Sequence, residues 1–148
     1  MSKFDNLVQK LRQHGERLTI QRRLVIEALC SSDEHMTIND IQHYIRTNHL
    51  AHELSEPTVY RIVQRLKDLR LVSQTDMAGT GIVYQLIDNP PHHHLICLRC
   101  GCIIDVNDNY FDDLRQRFLH DFGFEVRIDH MAMYGVCAKC QQAVDEQA

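Results

Sequence analysis

Cys97-Leu98-Arg99-Cys100 and Cys137-Ala138-Lys139-Cys140 are two CxxC knuckles. Each can place two sulfurs on one ion, and four thiolates make a closed tetrahedral site for Zn²⁺ with no open position for catalysis. Gly101 allows the positive φ that such turns often use. The 36 residues between the knuckles exceed the span of a compact zinc ribbon, so a zinc ion would tie the end of one module to its beginning. The alternative is a pair of redox dithiols or buried thiols. A thioredoxin-like site, however, uses one CxxC between a strand and a helix, and here two matched knuckles occur. Cys30 and Cys102 have no partner at useful spacing and read as small apolar residues.

His92-His93-His94 stands directly before the first knuckle. In an extended strand His92 and His94 face one way and His93 the other. Asp105, on the next strand, can join the first face, and His35 is a candidate from another part of the chain. A His/His/His/Asp set suits Fe²⁺, Mn²⁺, Zn²⁺ or Ni²⁺. The other reading of a histidine triplet is a solvated linker end. His14, His43, His49, His52 and His120 read as surface or half-buried residues. No enzyme signature competes: the chain has no HExxH, no GxSxG, no glycine-rich phosphate loop and no deaminase pair.

The elements that must position these residues are legible in the hydrophobic spacing. Phe4, Leu7, Val8 and Leu11 follow a helical period that stops at Gly15. Thr19, Thr37 and Ser55 can each cap a further helix, and Pro57 suits a first turn, where its missing N–H costs little. The fourth helix turns Val59, Ile62, Val63, Leu66 and Leu69 inward. Two β-prone runs then flank Ala-Gly-Thr-Gly, a hairpin signal. Helices followed by a hairpin, the last helix short and basic, form a winged helix-turn-helix. Ile87 to Pro91 is the linker candidate, because paired prolines break a helix. Beyond it, HHHLICL and CIIDV read as strands around a Cys-Gly turn. Asp108 can cap a helix bearing Phe111, Leu114 and Phe118 and ending at Gly123. In FEVRIDHMAMY, alternation puts Phe124, Val126, Ile128, His130 and Ala132 on one face of a strand. The expected architecture is α+β: a winged-helix domain over 1–86, a hinge over 87–91 and a small α/β domain over 92–148. A module of that second size has a marginal core, so a metal clip or dimer partner is physically expected.

The chain has 148 residues, 44% apolar and 24% charged, with a net charge of −4. It can bury a core and is no disordered tail. Residues 1–89 carry no net charge and the remainder carries −4, so the two parts differ electrostatically. No apolar run reaches the roughly 18 residues of a membrane span, and the polar start lacks a secretory h-region, which predicts a cytoplasmic protein. Opposite the buried stripe of the fourth helix lie Thr58, Tyr60, Arg61, Gln64 and Arg65. A helix of this size fits the DNA major groove, where Arg can take guanine and Gln adenine. Arg12, Arg17, Arg22 and Arg23 add a phosphate-binding patch against Glu16 alone. The alternative is an ordinary solvated face. One winged helix reads a short site weakly, so a homodimer on a palindrome is the natural arrangement.

Together, ERLTIQRRLVIEAL, SEPTVYRIVQRLKDLRLV, HHHLICLRCG and FGFEVRIDHMAMYGVCAKC make the chain similar to the ferric uptake regulator family along nearly its whole length. The resemblance implies dimeric, metal-dependent transcription factors, mostly repressors, with a winged-helix DNA-binding domain and a small α/β dimerisation domain. It implies that Tyr60 and Arg61 contact bases and that Arg17 lies near the minor groove. It makes Cys97, Cys100, Cys137 and Cys140 the structural zinc ligands. His35, His92, His94 and Asp105 become the regulatory site for Fe²⁺, Mn²⁺ or Zn²⁺, whose occupancy would close the hinge and set the spacing of the recognition helices. His93 and Asp112 match an additional metal site, although Pro91 and Asp129 stand where that site usually has histidine, with His130 one residue later. Gln85 stands where iron sensors usually carry a carboxylate and zinc sensors often a cysteine, and Asp105 resembles peroxide-sensing members. The function so implied is repression of metal-homeostasis genes at a palindromic AT-rich operator, with iron the favoured signal and peroxide or zinc sensing the alternatives. The competing class is a zinc-stabilised protein-interaction module without DNA binding.

Overall fold

The computed structural model describes residues 2–147. It divides into two compact units. The first runs up to Gln74 and takes in Ile82–Asn89, and the second holds Thr75–Gly81 and everything from Pro90 on. The chain passes from the first unit to the second between Asn89 and Pro90. The hairpin tip, residues 75–81, groups with the second unit and not with the winged helix assigned to 1–86.

The first unit is built from four helices: α1 (Lys3–Gln13), α2 (Ile20–Cys30), α3 (Ile38–Asn48) and α4 (Glu56–Asp68). Each starts on a hydroxyl cap. Ser2, Thr19, Thr37 and Ser55 accept from the backbone N–H three residues on, and Asp40 returns a bond to the Thr37 N–H, closing a capping box. The inward stripes of these helices meet in one core containing Leu11, Val25, Ile41, Ile45, Val59 and Val63, all fully buried. Each such side chain contributes about 1.5–3 kcal/mol on leaving water. β1 (Val72–Asp76) and β2 (Ile82–Leu86) form the hairpin, and Tyr84 exchanges backbone bonds of 2.7 and 2.8 Å with Met36. That bridge fixes the segment carrying His35 just before α3.

The second unit carries a three-stranded sheet in the order β4-β3-β5, from β3 (His92–Cys97), β4 (Ile103–Asn107) and β5 (Met131–Gly135). β3 runs antiparallel to β4 and parallel to β5. His94 pairs with Asp105 on one side and with Ala132 on the other, so His92, His94, Asp105 and Ala132 share a face. α5 (Asp112–Phe122) ends on Gly123 at φ 63°, the left-handed value a side chain resists.

Two expectations need correction here, and one element was not foreseen. Asp108 does not cap α5; it opens a 3-10 turn capped by the Asn107 side chain, and its carboxylate serves His93 and Arg115 instead. The alternating run from Phe124 is a strand only over Met131–Gly135, because alternation becomes a strand only where a partner lies alongside, and β3 lies beside that part alone. A further helix, α6 (Ala138–Gln147), starts inside the second knuckle, which sequence spacing did not reveal.

Candidate functional site

The four knuckle cysteines come together, as the end of β3 and the start of α6 require. Their sulfurs all lie within 4.8 Å of one another, with Cys100 and Cys137 3.7 Å apart. Two Zn–S bonds of about 2.3 Å at the tetrahedral angle separate their sulfurs by about 3.8 Å, so the donor set fits Zn²⁺ without rearrangement. Backbone N–H groups are aimed at the sulfurs: those of Arg99 and Cys137 lie 3.4 Å from Cys97 Sγ. Such donors, Cys137 first, bring the Cys97 thiol down to about 5, in the range of a ready thiolate ligand. Gly101 adopts φ 75°, and its N–H closes the first knuckle on the Cys97 carbonyl at 3.0 Å. Cys102 is not the isolated apolar residue its spacing suggested. It sits against Cys100 and Cys137, whose sulfurs push its thiol up to about 12. Cys30 is half-buried, and burial raises its thiol to about 11, so it stays protonated and inert.

On the shared sheet face a second cluster forms. His94 is buried; its Nδ1 lies 2.8 Å from Asp105 Oδ1 and its Nε2 lies 2.7 Å from Nε2 of His130. The His92 ring stands 4.9 Å from that of His94 and 4.7 Å from that of His130. His130 Nδ1 reaches Thr75 Oγ1 at 2.8 Å. His92, His94 and Asp105 are thus brought together, and His130 joins them. The signals for His130 were its place two residues before Ala132 on the alternating face and its position next to Asp129, where the resemblance puts a histidine of the additional site. His35 is half-buried in the first unit, next to the Met36–Tyr84 bridge. Gln85 is buried there too. Its Nε2 donates to the Asp33 carbonyl at 3.0 Å, and its Oε1 has no partner among the described residues.

On the opposite sheet face His93 and Asp112, which the resemblance matched to an additional metal site, have other partners. His93 is fully buried, and both ring nitrogens are committed: Nε2 to Asp108 at 2.8 Å, Nδ1 accepting the Met131 N–H at 3.2 Å. No lone pair remains for an ion. Asp112 pairs with Arg115 at 3.3 Å. Arg115 and then His93 hold the Asp108 carboxyl below its ordinary value.

The candidate nucleic-acid face lies on the first unit. Tyr60 is half exposed and Arg61 exposed on α4, and Arg17, Thr58 and Arg61 border an open groove of about 610 Å³. Glu16 is held by Arg65 and Arg22, and Arg23 by Glu27, so these three guanidiniums are partly spent. Among the described residues no carboxylate lies within ion-pair distance of Arg17 or Arg61, which leaves both for phosphate or base. Gln64 differs from the expected reader of bases: its amide is tied to Gln74 at 2.7 Å and to the Tyr84 hydroxyl at 3.3 Å.

Comparison with known proteins accounts for both halves. The family model described as the ferric uptake regulator family matches residues 13–134. The ferric uptake regulation protein of Campylobacter jejuni is 29% identical over 141 residues, covering 93% of this chain and 90% of that one. The peroxide-responsive repressor of Staphylococcus epidermidis is 28% identical, covering 94% and 91%. The manganese-containing ferric uptake regulator structure from Pseudomonas aeruginosa superposes with a TM-score of 0.71 at 23% identity, covering 88% of this chain and 96% of that one, and supports the fold. Since the family match takes in α2 to α4, the hairpin, the histidine strand and most of the second unit, the chain belongs to the ferric uptake regulator family, whose members are metal-responsive transcription regulators and not enzymes.

Proposed function

We propose that the chain is a metal-dependent DNA-binding repressor of metal-homeostasis genes, with iron as the favoured signal. One observation carries this reading: a single chain combines an exposed Tyr60–Arg61 helix face with an imidazole cluster separate from the four-thiolate set. Bound Zn²⁺ supplies a fixed cross-link at Cys97, Cys100, Cys137 and Cys140, and no reaction. His92, His94 and Asp105 hold the exchangeable ion, and the resemblance adds His35 to that set. Arg61 and Tyr60 read base edges, Arg17 and Thr58 fix the backbone, and Gln64 acts chiefly by holding α4 on the hairpin.

A second copy of the chain is the expected partner. Leu95, Ile103, Ile104 and Phe124 of the second unit are between 41% and 62% exposed, apolar surface that a second copy would cover. A C2 dimer presents two α4 helices and so matches a palindromic, AT-rich operator. The cytoplasm is the expected compartment. No helix among the described residues is long and apolar enough to cross a membrane. Peroxide sensing is the second reading, favoured by Asp105 and by the similarity to the staphylococcal peroxide-responsive repressor.

A mobility shift with a palindromic AT-rich operator tests the proposal. Binding is expected to need Fe²⁺ or Mn²⁺, to vanish with a chelator that spares the zinc, and to be lost in His92→Ala while about one zinc per chain remains. Equal affinity with and without the exchangeable ion would refute it.

A further inference from the structure

A carboxylate stands in the groove that would face a polyanion. Glu16 lines that groove together with Arg17, Arg22, Thr58 and Arg61. Its side chain is only 13% exposed and holds two guanidiniums at once. Arg65 Nε donates to Glu16 Oε1 at 2.7 Å, with Arg65 Nη2 on the same oxygen, and Arg22 Nη1 lies 2.9 Å from Oε2. Arg65, ahead of Arg22, keeps the Glu16 carboxyl below its ordinary value, so the group is ionised at neutral pH. The same Arg22 Nη1 donates to the Arg17 carbonyl at 2.8 Å. A chain of charge-assisted hydrogen bonds therefore runs from α4 through Glu16 and Arg22 to the backbone of Arg17.

A negative charge here lowers affinity for any duplex, because it repels phosphate and occupies two cations that could neutralise it. Holding the fold does not account for the arrangement, since Arg65 is 49% exposed and exposed ion pairs add little to stability. Phosphate contacts raise affinity for every sequence alike, whereas base contacts discriminate. We propose that Glu16 is a positioning residue that sets how sharply this protein discriminates between DNA sequences. It withholds Arg22 and Arg65 from the phosphate backbone, and it ties α4 to the loop of Arg17 so that Arg17 and Arg61 meet the duplex at one spacing. The affinity given up is the sequence-independent part; the base contacts of α4 are kept. Resting on the DNA-binding reading above, this role of Glu16 concerns specificity and is independent of which ion is sensed.

The test measures affinity by fluorescence anisotropy between about 50 and 200 mM salt, using the zinc-loaded full chain with added Mn²⁺. The probes are a palindromic AT-rich operator and a scrambled duplex of the same length and composition. Glu16→Gln keeps the shape of the side chain and drops its charge. On the scrambled duplex it should steepen the slope of log affinity against log salt by about 1–2, the value for one or two added phosphate contacts, and raise affinity on the order of 10-fold. Operator preference should fall by a similar factor. Glu16→Gln with Arg65→Gln removes one of the freed cations and should take back about 0.9 of the added slope. Arg65→Gln alone should leave the slope at its wild-type value, and it decides the matter even if Glu16→Gln fails to fold, because Arg65 lies on the exposed side of the pair. A slope lower by about 0.9 in that variant places Arg65 on phosphate already and overturns the proposal. So does an unchanged slope and preference in Glu16→Gln, or a loss of thermal stability with both affinities moved by the same factor, the result of a merely structural tie. Metal-independent operator binding with the Glu16→Gln shift intact fails the repressor reading alone; metal-dependent binding without that shift fails this proposal alone.

Discussion

Replacing Cys100 by Ser removes one of four sulfurs and, with it, the zinc cross-link. The consequence follows from how little else holds the second unit. Among the described residues its buried apolar side chains are Met77, Ile96 and Cys97, against the 17 of the first unit's core cluster. The link closes 44 residues from Cys97 to Cys140, and the chain-entropy relation for a loop of that length gives about 4 kcal/mol. A domain near 60 residues rarely has more than about 3–5 kcal/mol in all. Loss of the link alone therefore consumes the stability of the unit, before the larger zinc-binding free energy is considered. The expected outcome is selective unfolding. By native-state hydrogen exchange, amides of β3 and β5 should lose protection in Cys100→Ser, while those of α2 and α4, buried in a core with no metal, keep theirs. Circular dichroism should show helix retained at the level of α1 to α4. Persistent protection of β3 and β5 in zinc-free protein would refute the reasoning, because it would mean that packing and not the ion organises the sheet.

Two further outcomes can be checked. Arg61→Ala should cost about 1–3 kcal/mol of operator affinity, whereas Gln64→Ala, whose amide is already held by Gln74 and Tyr84, should affect thermal stability more than base preference; mobility shifts against single-base operator variants separate the two. Asp108, held below 3.8 in the folded chain, contributes stability that is present above that value and disappears as pH falls through the lower folded one. Asp108→Asn should therefore cost about 1.5–3 kcal/mol near neutrality and little in strong acid, read by denaturant unfolding across acidic pH.

Local chemistry made much of this protein readable from its residues alone. Ser55 with Pro57, and Thr37 with Asp40, state where helices begin, because capping involves atoms only three residues apart. The apolar spacing of Val59, Val63 and Leu66 states which side is buried. Two matched CxxC turns state the zinc set, since each pair of sulfurs is positioned by its own turn. The period of a strand put His92 and His94 on one face and His93 on the other. Tertiary structure alone decided what meets those residues. His93 faced Asp108 and not Asp112, because the chain makes a 3-10 turn after Asn107 where a helix start was expected. The strand from Phe124 shrank to Met131–Gly135, because a strand exists only where its ladder has a partner. Cys137 lies far from Cys102 in sequence, as His94 does from His130, and each pair meets only through the fold of the second unit. A lone pair's destination depends on which strand lies alongside, a distance that no spacing along the chain encodes.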